Sequence, residues 1–448
     1  MHDLMKDYIC KGTFTFGTDL SVPFDFVFQL PPTPKCKVLL KYESTKFEYD
    51  YMKVMQKVSE NRLLECALDG QTDDGGKIIC KKLYVDKTSF NFDKTRGISL
   101  YLELLPWDEV TILYPAVTNA DNKQNVYLLT NLLFAGDEFV QRDQRRDRAK
   151  STIEINGIKL NFLRLLTFDE TQQKLENSTL ALVTTEVTSF TYLDIENELD
   201  QLIWPLCWLC TLGQHSFVSP LYSAIKLGDS WSRISYKPVK TYPFHRLDAC
   251  VDFSHLGDHD FTRYLERCYS EYKKWANTLK LDVLIEYAVH ASAARALDIS
   301  YMLLCIAFEC LADNGRTYIE SKGVELPLPS FEQNIKTLQQ FMKSHDFKVS
   351  DEELRKLARS VSYNQPSLKE KLVAIFNDFN VKYADDDLEF LNIRNTLVHT
   401  GMFPKDVDSY KDTQRLKDFY DRVILTILGY KGGRRIVRSE NFQRTALD

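Results

Sequence analysis

Residues 385–401 read DDDLEFLNIRNTLVHTG, and this stretch decides how the C-terminal half of the chain is interpreted. The acidic run Asp385–Asp387 suits the start of a helix, because carboxylates are favoured at the positive end of the helix dipole. Gly401 is a typical residue just beyond a helix C-terminus, and Pro404 follows closely. The stretch therefore predicts a helix from Asp386 to Thr400.

This predicted helix carries apolar residues on two opposite sides. At about 100° per residue, one strip about 80° wide holds Leu388, Leu391, Asn395 and His399. The opposite side holds Phe390, Ile393 and Leu397. A helix with two apolar sides needs two packing partners. We therefore expect its own bundle on one side, and either more of the bundle or a second subunit on the other.

Three residues of the stretch, Arg394, Asn395 and His399, together have the chemistry that RNA cleavage requires. Histidine titrates near neutral pH, so His399 can give or take the proton of a reacting hydroxyl group. Arg394 lies about 100° around the helix from Asn395 and is long enough to reach the same side. Its planar cation can stabilise the charge that gathers on phosphorus, and Asn395 can orient the phosphate or the imidazole. This chemistry requires no metal and no other cofactor.

The spacing of Arg394 and His399 is weak evidence by itself, because an arginine five residues before a histidine often arises by chance. Asn395 directly after the arginine, a predicted helix end just after the histidine, and the position in a helical C-terminal region make the pattern more specific. The structural alternative is that Arg394 closes a salt bridge and that His399 caps the helix.

The chain beyond residue 250 has helical periodicity almost throughout. Near that residue the period of the apolar positions changes from two to about 3.6, which predicts a β-rich domain over residues 1–250 and a helical domain over residues 251–448. The polar stretch His255–Asp260 fits a linker, since its two histidines lack an obvious third metal ligand. The other predicted helices are Phe261–Leu279, Leu281–Asp313 with its end at Asn314-Gly315, Phe331–Ser344, Asp351–Val361, Leu368–Phe379 and Thr413–Leu428. Short polar connections between them predict a helical bundle.

Short runs of β-branched and aromatic residues alternate with turn residues through the first 250 positions, and this predicts strands. Clear examples are Thr13–Phe16, Phe24–Phe28, Lys37–Tyr42, Ile98–Leu102 and Thr152–Ile155. The last of these ends at Asn156-Gly157, a strong hairpin signal. Many short strands at such spacing predict a sandwich or a curved open sheet, with one helix at about Asp194–Leu212 and a further strand within Trp231–Tyr242. The predicted fold class is α+β.

Charge and motifs exclude several classes of protein. A formal net charge of -6 argues against broad, non-specific binding of duplex nucleic acid. Basic runs at Gln141–Lys150 and Lys431–Arg438 fit either solvated surface or local phosphate-contacting patches. No run of about 18 uncharged apolar residues occurs, so no membrane-spanning segment is expected. The β-rich region also lacks the G-x-S-x-G, Walker, G-x-G-x-x-G and H-E-x-x-H motifs.

The ten cysteines are expected to be reduced. The first residues, Met1–Asp7, lack the basic start and apolar core of a secretory signal, which predicts a cytoplasmic protein. Cys207 and Cys210 form a C-x-x-C pair, but no second pair completes a zinc site. We expect these two thiols to pack in the core, with a redox or zinc role as the alternative.

Arg394-Asn395 followed by His399 resembles the R-N-x-x-x-H signature of the HEPN superfamily, on the helix on which that family carries it. The stretch Leu303–Leu311 also resembles the acid-bearing apolar helix that precedes the motif in many members. Its acid, Glu309, can either support the site from behind the motif or form a salt bridge with a neighbouring helix. The resemblance covers residues of about 255–430. A β-rich region in front of such a domain is similar in layout to the ApeA-type anti-phage proteins.

This resemblance implies a function and a partner. HEPN ribonucleases pair two helical domains so that two motifs face each other, which implies a homodimer through this domain. Similarity makes His399 the acid or base, Arg394 the phosphate clamp and Asn395 the positioning residue, and it implies a cyclic 2′,3′-phosphate and a 5′-hydroxyl as the products. In defence proteins of this kind, infection unleashes cleavage of host or phage RNA, such as tRNA, and stops growth.

Within that resemblance, the β-rich domain would be a sensor or regulator on which a phage-derived trigger acts. Some HEPN proteins have no catalytic activity. The alternative is therefore a non-catalytic HEPN scaffold whose β-rich domain binds a protein or another ligand, with Arg394 and His399 only structural.

Overall fold

A computed structural model of the chain divides it into two compact units. Unit 1 comprises Met1–Arg246 with Asp252–Glu266, and unit 2 comprises Leu247–Val251 with Arg267–Asp448. The residues that the structure describes are 7–29, 37–44, 48–60, 64–93, 95, 97–115, 123–142, 145–177, 184–189, 196–228, 230–239, 249–253, 260–322, 331–345, 350, 352–353, 366–437 and 442–446.

Six strands of unit 1 close into a barrel. They are β1 (Asp7–Phe16), β2 (Leu20–Gln29), β3 (Lys37–Ser44), β4 (Glu65–Thr72), β5 (Lys77–Asp93) and β6 (Gly97–Pro106). Their order is β4-β1-β2-β3-β6-β5, and β5 pairs back with β4 to close the ring. Alternate residues of each strand point to opposite faces. In β2 this buries every second residue from Leu20 to Phe28, as the aromatic alternation of the sequence predicts.

The same sheet continues beyond the barrel as an open antiparallel part. Its strands are β7 (Val110–Leu113), β8 (Lys123–Thr130), β9 (Glu138–Arg142), β10 (Arg145–Ile155), β11 (Ile158–Arg164), β12 (Thr184–Ser189), β13 (Pro220–Leu227) and β14 (Ser230–Tyr236). From β5 outward the order is β7-β14-β13-β8-β12-β11-β10-β9. Asn156 and Gly157 join β10 to β11 with φ values of 53° and 77°, which fits a two-residue hairpin turn and confirms that prediction.

The prediction of an α+β chain with a β-rich first part and a helical second part is confirmed, but the form of the sheet differs from the prediction. The described strands of unit 1 form neither a sandwich nor a curved sheet that is open throughout, since one 14-stranded sheet closes on itself over its first six strands and stays open beyond them. The physical reason is the 17-residue length of β5. Its first half pairs with β4 on one edge and β7 on the other, and its second half pairs with β6.

Among the described residues before 246, the helices are α1 (Tyr49–Glu60), α2 (Phe168–Asn177) and α3 (Glu196–Gln214). The third confirms the helix predicted at about 194–212. Neither α1 nor α2 was predicted, although the start of α2 carries a detectable signal. Thr167 and Glu170 form a reciprocal cap in which each side chain accepts a hydrogen bond from the other's backbone N–H, at 3.3 Å and 3.0 Å.

From residue 260 onward the chain is mainly helical. The helices are α4 (Asp260–Leu279), α5 (Leu281–Ala293), α6 (Leu297–Ser321), α7 (Phe331–Ser344), α8 (Leu368–Asp378), α9 (Phe390–Thr400) and α10 (Ser409–Ile427), followed by the hairpin β15 (Gly433–Val437) and β16 (Phe442–Ala446). The helix predicted at Asp351–Val361 falls almost wholly outside the described residues. His255 and His259 of the predicted linker also lie outside them.

The end predicted at Asn314-Gly315 is wrong, because α6 continues through this dipeptide to Ser321. Gly315 allows close helix packing and does not end the helix. A Cβ atom at this position would lie 2.4 Å from the side chain of Ile375, so only a glycine lets α8 approach α6 so closely. The predicted single stretch from Leu281 is instead two helices, α5 and α6, separated by three residues in which Ala294 and Ala296 are extended.

An aromatic cluster forms the centre of the helical bundle in unit 2. Phe308 of α6 is fully buried, and its ring stacks on Phe390 of α9 at 4.7 Å and on Phe419 of α10 at 5.4 Å. Tyr420 meets the same ring edge-on at 5.3 Å, and its hydroxyl donates a hydrogen bond to the backbone carbonyl of Leu284. Aromatic pairs at these distances add to the stability from burial. The cluster therefore holds α9 against α6 and α10.

Candidate functional site

The helix α9 that carries Arg394, Asn395 and His399 ends where the sequence predicts and begins later. Gly401 adopts the left-handed conformation, with φ 70°, and its N–H donates a hydrogen bond of 2.8 Å to the carbonyl of Leu397. The predicted first turn is instead a separate 3-10 turn at Asp385–Leu388. The helix is therefore shorter than predicted, and Leu388 does not belong to its strip of residues.

The acidic run before α9 has a structural role. Asp387 accepts a hydrogen bond of 2.9 Å from the N–H of Ala384, which caps the 3-10 turn. The same carboxylate also pairs with Arg422 of α10 at 2.6 Å. Asp387 thus both caps the 3-10 turn that precedes α9 and connects the start of α9 to α10 through its ion pair with Arg422.

The two sides of α9 have different surroundings. Phe390, Ile393 and Leu397 are buried, while Asn395 and His399 are exposed. Of the apolar residues on the open side, Leu391 is half-buried and Val398 is 50 % exposed. One of the two predicted apolar sides thus packs in the bundle, and the other faces outward in the single chain.

Arg394 is held between two neighbours. Its Nη2 lies 2.5 Å from Oε1 of Glu309 on α6, and its Nη1 donates a hydrogen bond of 3.0 Å to Oδ1 of Asn395. The pair is partly open to solvent, with 29 % of the Arg394 side chain and 32 % of the Glu309 side chain exposed. The sequence left two roles open for Glu309, support of the site or a salt bridge to a neighbouring helix. The structure shows a salt bridge to the neighbouring helix α9, and its partner is Arg394.

His399 lies in the last turn of α9, one turn beyond Asn395, which is a rise of about 6 Å. The end of this helix is closed by other groups. Besides the N–H of Gly401, the hydroxyl of Thr400 donates a hydrogen bond of 2.8 Å to the carbonyl of Thr396. In the described part of the chain no group hydrogen-bonds to the His399 imidazole, so its ring nitrogens are open to a ligand.

Cys305 is the thiol that lies behind the pair of Arg394 and Glu309. Burial raises the pKa of this thiol well above its ordinary value, and the nearby Arg394 cation offsets only part of the rise. A protonated, buried thiol is a poor nucleophile. In unit 1, burial likewise raises the pKa of Cys207 and of Cys210, which agrees with the core packing expected of that pair.

A partly exposed apolar stripe runs along α6 beside Glu309. It consists of Ile299, Met302, Leu303 and Ile306, which recur at helical spacing. Ile299 is 54 % exposed and the other three are half-buried. At the end of α9, Val398 and Met402 are also exposed. Large apolar side chains therefore flank the open side of the motif.

The first basic run of the sequence lies on β9 and β10 and is partly engaged within unit 1. The Arg148 guanidinium lies over the ring of Phe139 at 5.1 Å, and Lys150 pairs with Glu138 at 2.7 Å. The second run falls largely on β15, whose backbone pairs with β16.

Comparison of the chain with protein-family models, with curated proteins and with solved structures finds no match. Among the helices that the structure describes, none combines the length and the apolar character needed to cross a membrane.

Proposed function

We propose that this protein is an endoribonuclease that cleaves RNA without a metal ion, using His399, Arg394 and Asn395. The observation that carries the proposal is the position of these three residues on the open side of α9, with His399 exposed and Arg394 joined to Asn395. The resemblance to the HEPN signature suggests the role of each residue: acid or base for His399, phosphate binding for Arg394 and positioning for Asn395. Burial of the opposite side of the helix holds the three side chains on a rigid element.

The proposed reaction is a transesterification within the RNA. The 2′-oxygen attacks the adjacent phosphorus, the bond to the 5′-oxygen breaks, and the products are a 2′,3′-cyclic phosphate and a 5′-hydroxyl. One imidazole takes the proton of the 2′-hydroxyl, and a second acid gives a proton to the leaving 5′-oxygen. Arg394 stabilises the negative charge on phosphorus. For this, part of the Arg394 guanidinium must leave its contact with Glu309 and donate hydrogen bonds to the phosphate.

A second copy of the chain is the proposed source of the second imidazole. Two His399 side chains facing each other would supply both the base and the acid. The partly exposed apolar stripe of α6, together with the exposed Val398 and Met402, supports this arrangement, because apolar side chains that are open to solvent mark interaction surfaces. A two-fold axis beside α9 would bury these residues and bring the two motifs together.

The proposed biological role is anti-phage defence by abortive infection, with host or phage RNA as the substrate. This step follows from the resemblance to ApeA-type proteins in motif and layout. In this proposal unit 1 is the sensor or regulator that a phage-derived trigger engages. A bacterial culture that expresses the protein should survive phage challenge only while Arg394, Asn395 and His399 are intact.

A non-catalytic HEPN scaffold is the second candidate. The observation that favours it is the ion pair of Arg394 with Glu309, which gives the motif arginine a role inside the bundle. Partly exposed ion pairs contribute about 1 kcal/mol or less to stability, so a purely structural pair is a weak reason for an arginine at this position. The two candidates make opposite predictions for the chemistry of RNA incubated with the protein.

We expect the purified protein to cut RNA in the presence of excess EDTA. The fragments should carry 5′-hydroxyl ends, which polynucleotide kinase labels directly, and 2′,3′-cyclic phosphate ends, which block ligation to the 3′ end until the ring is opened and the phosphate is removed. A substrate in which every 2′-hydroxyl is replaced by hydrogen should stay intact, because the nucleophile is missing. Labelled-end mapping and gel analysis provide the measurement.

The outcome that would contradict the proposed chemistry is cleavage that EDTA abolishes and Mg²⁺ restores, or products with 5′-phosphates. If the isolated protein leaves RNA intact, the same end mapping is applied to RNA from phage-challenged cells, where the trigger is supplied. Intact RNA in those cells, together with unimpaired protection, would support the scaffold.

We expect the change Ile306→Glu to separate the proposed dimer. Placing a charge in the middle of the apolar stripe should weaken association by about 2 kcal/mol or more, about 30-fold, as at interface hot spots. Sedimentation velocity should show a dimer for the wild type and a monomer for the variant at equal concentration, with RNA cleavage lost in parallel. Leu338→Glu is the matched control, because Leu338 is an exposed leucine on a different helix, α7. A wild-type protein that cuts RNA as a monomer would contradict the arrangement.

A further inference from the structure

The second half of β5 is an open edge of the sheet in unit 1. Up to Tyr84 the strand pairs with β4 on one edge. From Val85 to Asp93 it pairs with β6, and among the described strands none pairs with its other edge. Every residue from Asp86 to Phe92 is exposed. An edge of this kind presents unpaired backbone N–H and C=O groups, to which another strand can add.

The middle of this edge lacks the features by which proteins usually prevent strand addition, which are prolines, charges and bulges. The segment Thr88–Phe92 contains no proline, no glycine and no charged residue, and the bulge of β5 at Val85–Lys87 lies before it. Two of its residues are aromatic and open to solvent, with Phe90 39 % and Phe92 54 % exposed. By contrast, β9 at the far end of the sheet has a charged residue at each of its two ends. The edge of β5 is therefore the one suited to pairing.

The two faces of this edge segment differ in polarity, because alternate residues of a strand point to opposite sides. One face continues the buried apolar side of β6 outward, through the cross-strand pairs Thr88–Leu102, Phe90–Leu100 and Phe92–Ile98. The other face is polar and consists of Lys87, Ser89, Asn91 and Asp93. A strand that adds to this edge should therefore have one apolar and one polar face.

The segment itself meets this requirement when two copies run antiparallel with Phe90 facing Phe90. The other aligned pairs are then Thr88 with Phe92, Ser89 with Asn91, and Lys87 with Asp93. Apolar residues thus meet apolar or aromatic ones, polar residues meet polar ones, and opposite charges meet. Both charged residues also have partners in their own chain, Glu103 at 3.8 Å from Lys87 and Thr95 beside Asp93. The charges therefore select the register more than they strengthen the pairing.

We propose that the open edge of β5 binds the same edge of a second copy of this chain. The two strands pair about a two-fold axis at Phe90, and the sheet continues from one copy into the other. The occupant is another copy of the chain because the aligned residues match in both polarity and charge. So short a contact is weak, with a Kd on the order of 100 μM, and it joins chains that are locally concentrated. The contact lies in unit 1 and does not depend on the proposed ribonuclease chemistry.

Sedimentation equilibrium of the full-chain Ile306→Glu protein isolates this contact from the dimer proposed through α6. The protein should be monomeric at a few micromolar and should dimerise above about 100 μM. Adding Phe90→Lys should weaken this association about tenfold or more, because two ammonium groups would then face each other, and adding Phe90→Asp should do the same. An equimolar mixture of the Phe90→Lys and Phe90→Asp proteins should associate again, since each ammonium then faces a carboxylate.

Ile9→Lys in the same background is the matched control, because Ile9 is 62 % exposed on β1, a strand whose two edges are both paired. It should associate like its parent, and thermal unfolding verifies that every variant is folded. The proposal is overturned if the Ile306→Glu protein stays monomeric at about 500 μM, or if Phe90→Lys leaves its association unchanged. A mixture of the two charged variants that stays monomeric would also overturn it, because Phe90 would then not lie on the axis.

RNA cleavage by Phe90→Lys without the change at Ile306, measured in parallel, separates this contact from the proposed ribonuclease. Phe90 lies in unit 1, and Arg394 and His399 lie in unit 2. We therefore expect cleavage at the wild-type rate at low micromolar concentration. If no protein cuts RNA, the ribonuclease proposal fails, while the sedimentation results still decide the pairing of β5.

Discussion

The change His399→Ala is expected to lower the single-turnover rate of RNA cleavage by about 10²–10⁴-fold, the usual contribution of a general acid or base. The fold should be unaffected, because His399 is exposed and makes no hydrogen bond within the described residues. The rate is measured with end-labelled RNA under conditions in which the wild type cuts. Thermal unfolding of both proteins verifies that only the chemistry has changed.

His345→Ala is the matched control for this substitution. His345 is also an exposed histidine near the end of a helix in unit 2, and among the described residues it contacts Ser344 and Phe341 of the same segment. It should cut RNA at the wild-type rate. Equal cleavage by wild type and His399→Ala would remove His399 from the mechanism. If wild type and His399→Ala protect cells equally under phage challenge, the non-catalytic scaffold is favoured.

The motif helix illustrates what local sequence can predict. The end at Gly401 follows from the absence of a side chain that would oppose positive φ, and the buried face follows from the spacing of Phe390, Ile393 and Leu397. The predicted start of this helix at Asp386 was wrong, because Asp387 has two partners and one of them, Arg422, lies on a different helix. A tertiary ion pair of this kind leaves no signal in the acidic run itself.

The sheet shows the same limit on a larger scale. Alternation of apolar residues predicts that β1, β2 and β3 are strands, since burial of one face depends only on local spacing. Closure of the barrel depends on β5 pairing with β4 along one half and with β6 along the other. Partner choice between strands is a property of the whole sheet, so a sandwich and a curved open sheet were both compatible with the sequence.

For the candidate site, the residue types were predictable and their partners were not. The sequence indicates that Asn395 and His399 share one side of a helix, and that Arg394 must reach round to join them. The contact of Arg394 with Glu309 joins two helices that are far apart in the chain.

The change Phe308→Ala is expected to destabilise the bundle of unit 2 by about 3–5 kcal/mol, the usual cost of removing a buried phenylalanine. Phe308 is fully buried between the rings of Phe390 and Phe419, so its loss leaves a cavity that three helices border. Because Phe390 is the first residue of α9, the motif should also lose its fixed position, and RNA cleavage should fall with stability.

Hydrogen exchange of the full chain measures this effect separately for each unit, which a single unfolding transition of a two-unit protein cannot do. Peptides from α6, α9 and α10 should exchange faster in Phe308→Ala, while peptides from the barrel should keep their wild-type rates. Phe341→Ala is the matched control, because Phe341 on α7 is 49 % exposed and should cost little. If α9 keeps wild-type protection in Phe308→Ala, the aromatic cluster does not hold the motif helix, and the rigid support proposed for His399 must come from elsewhere.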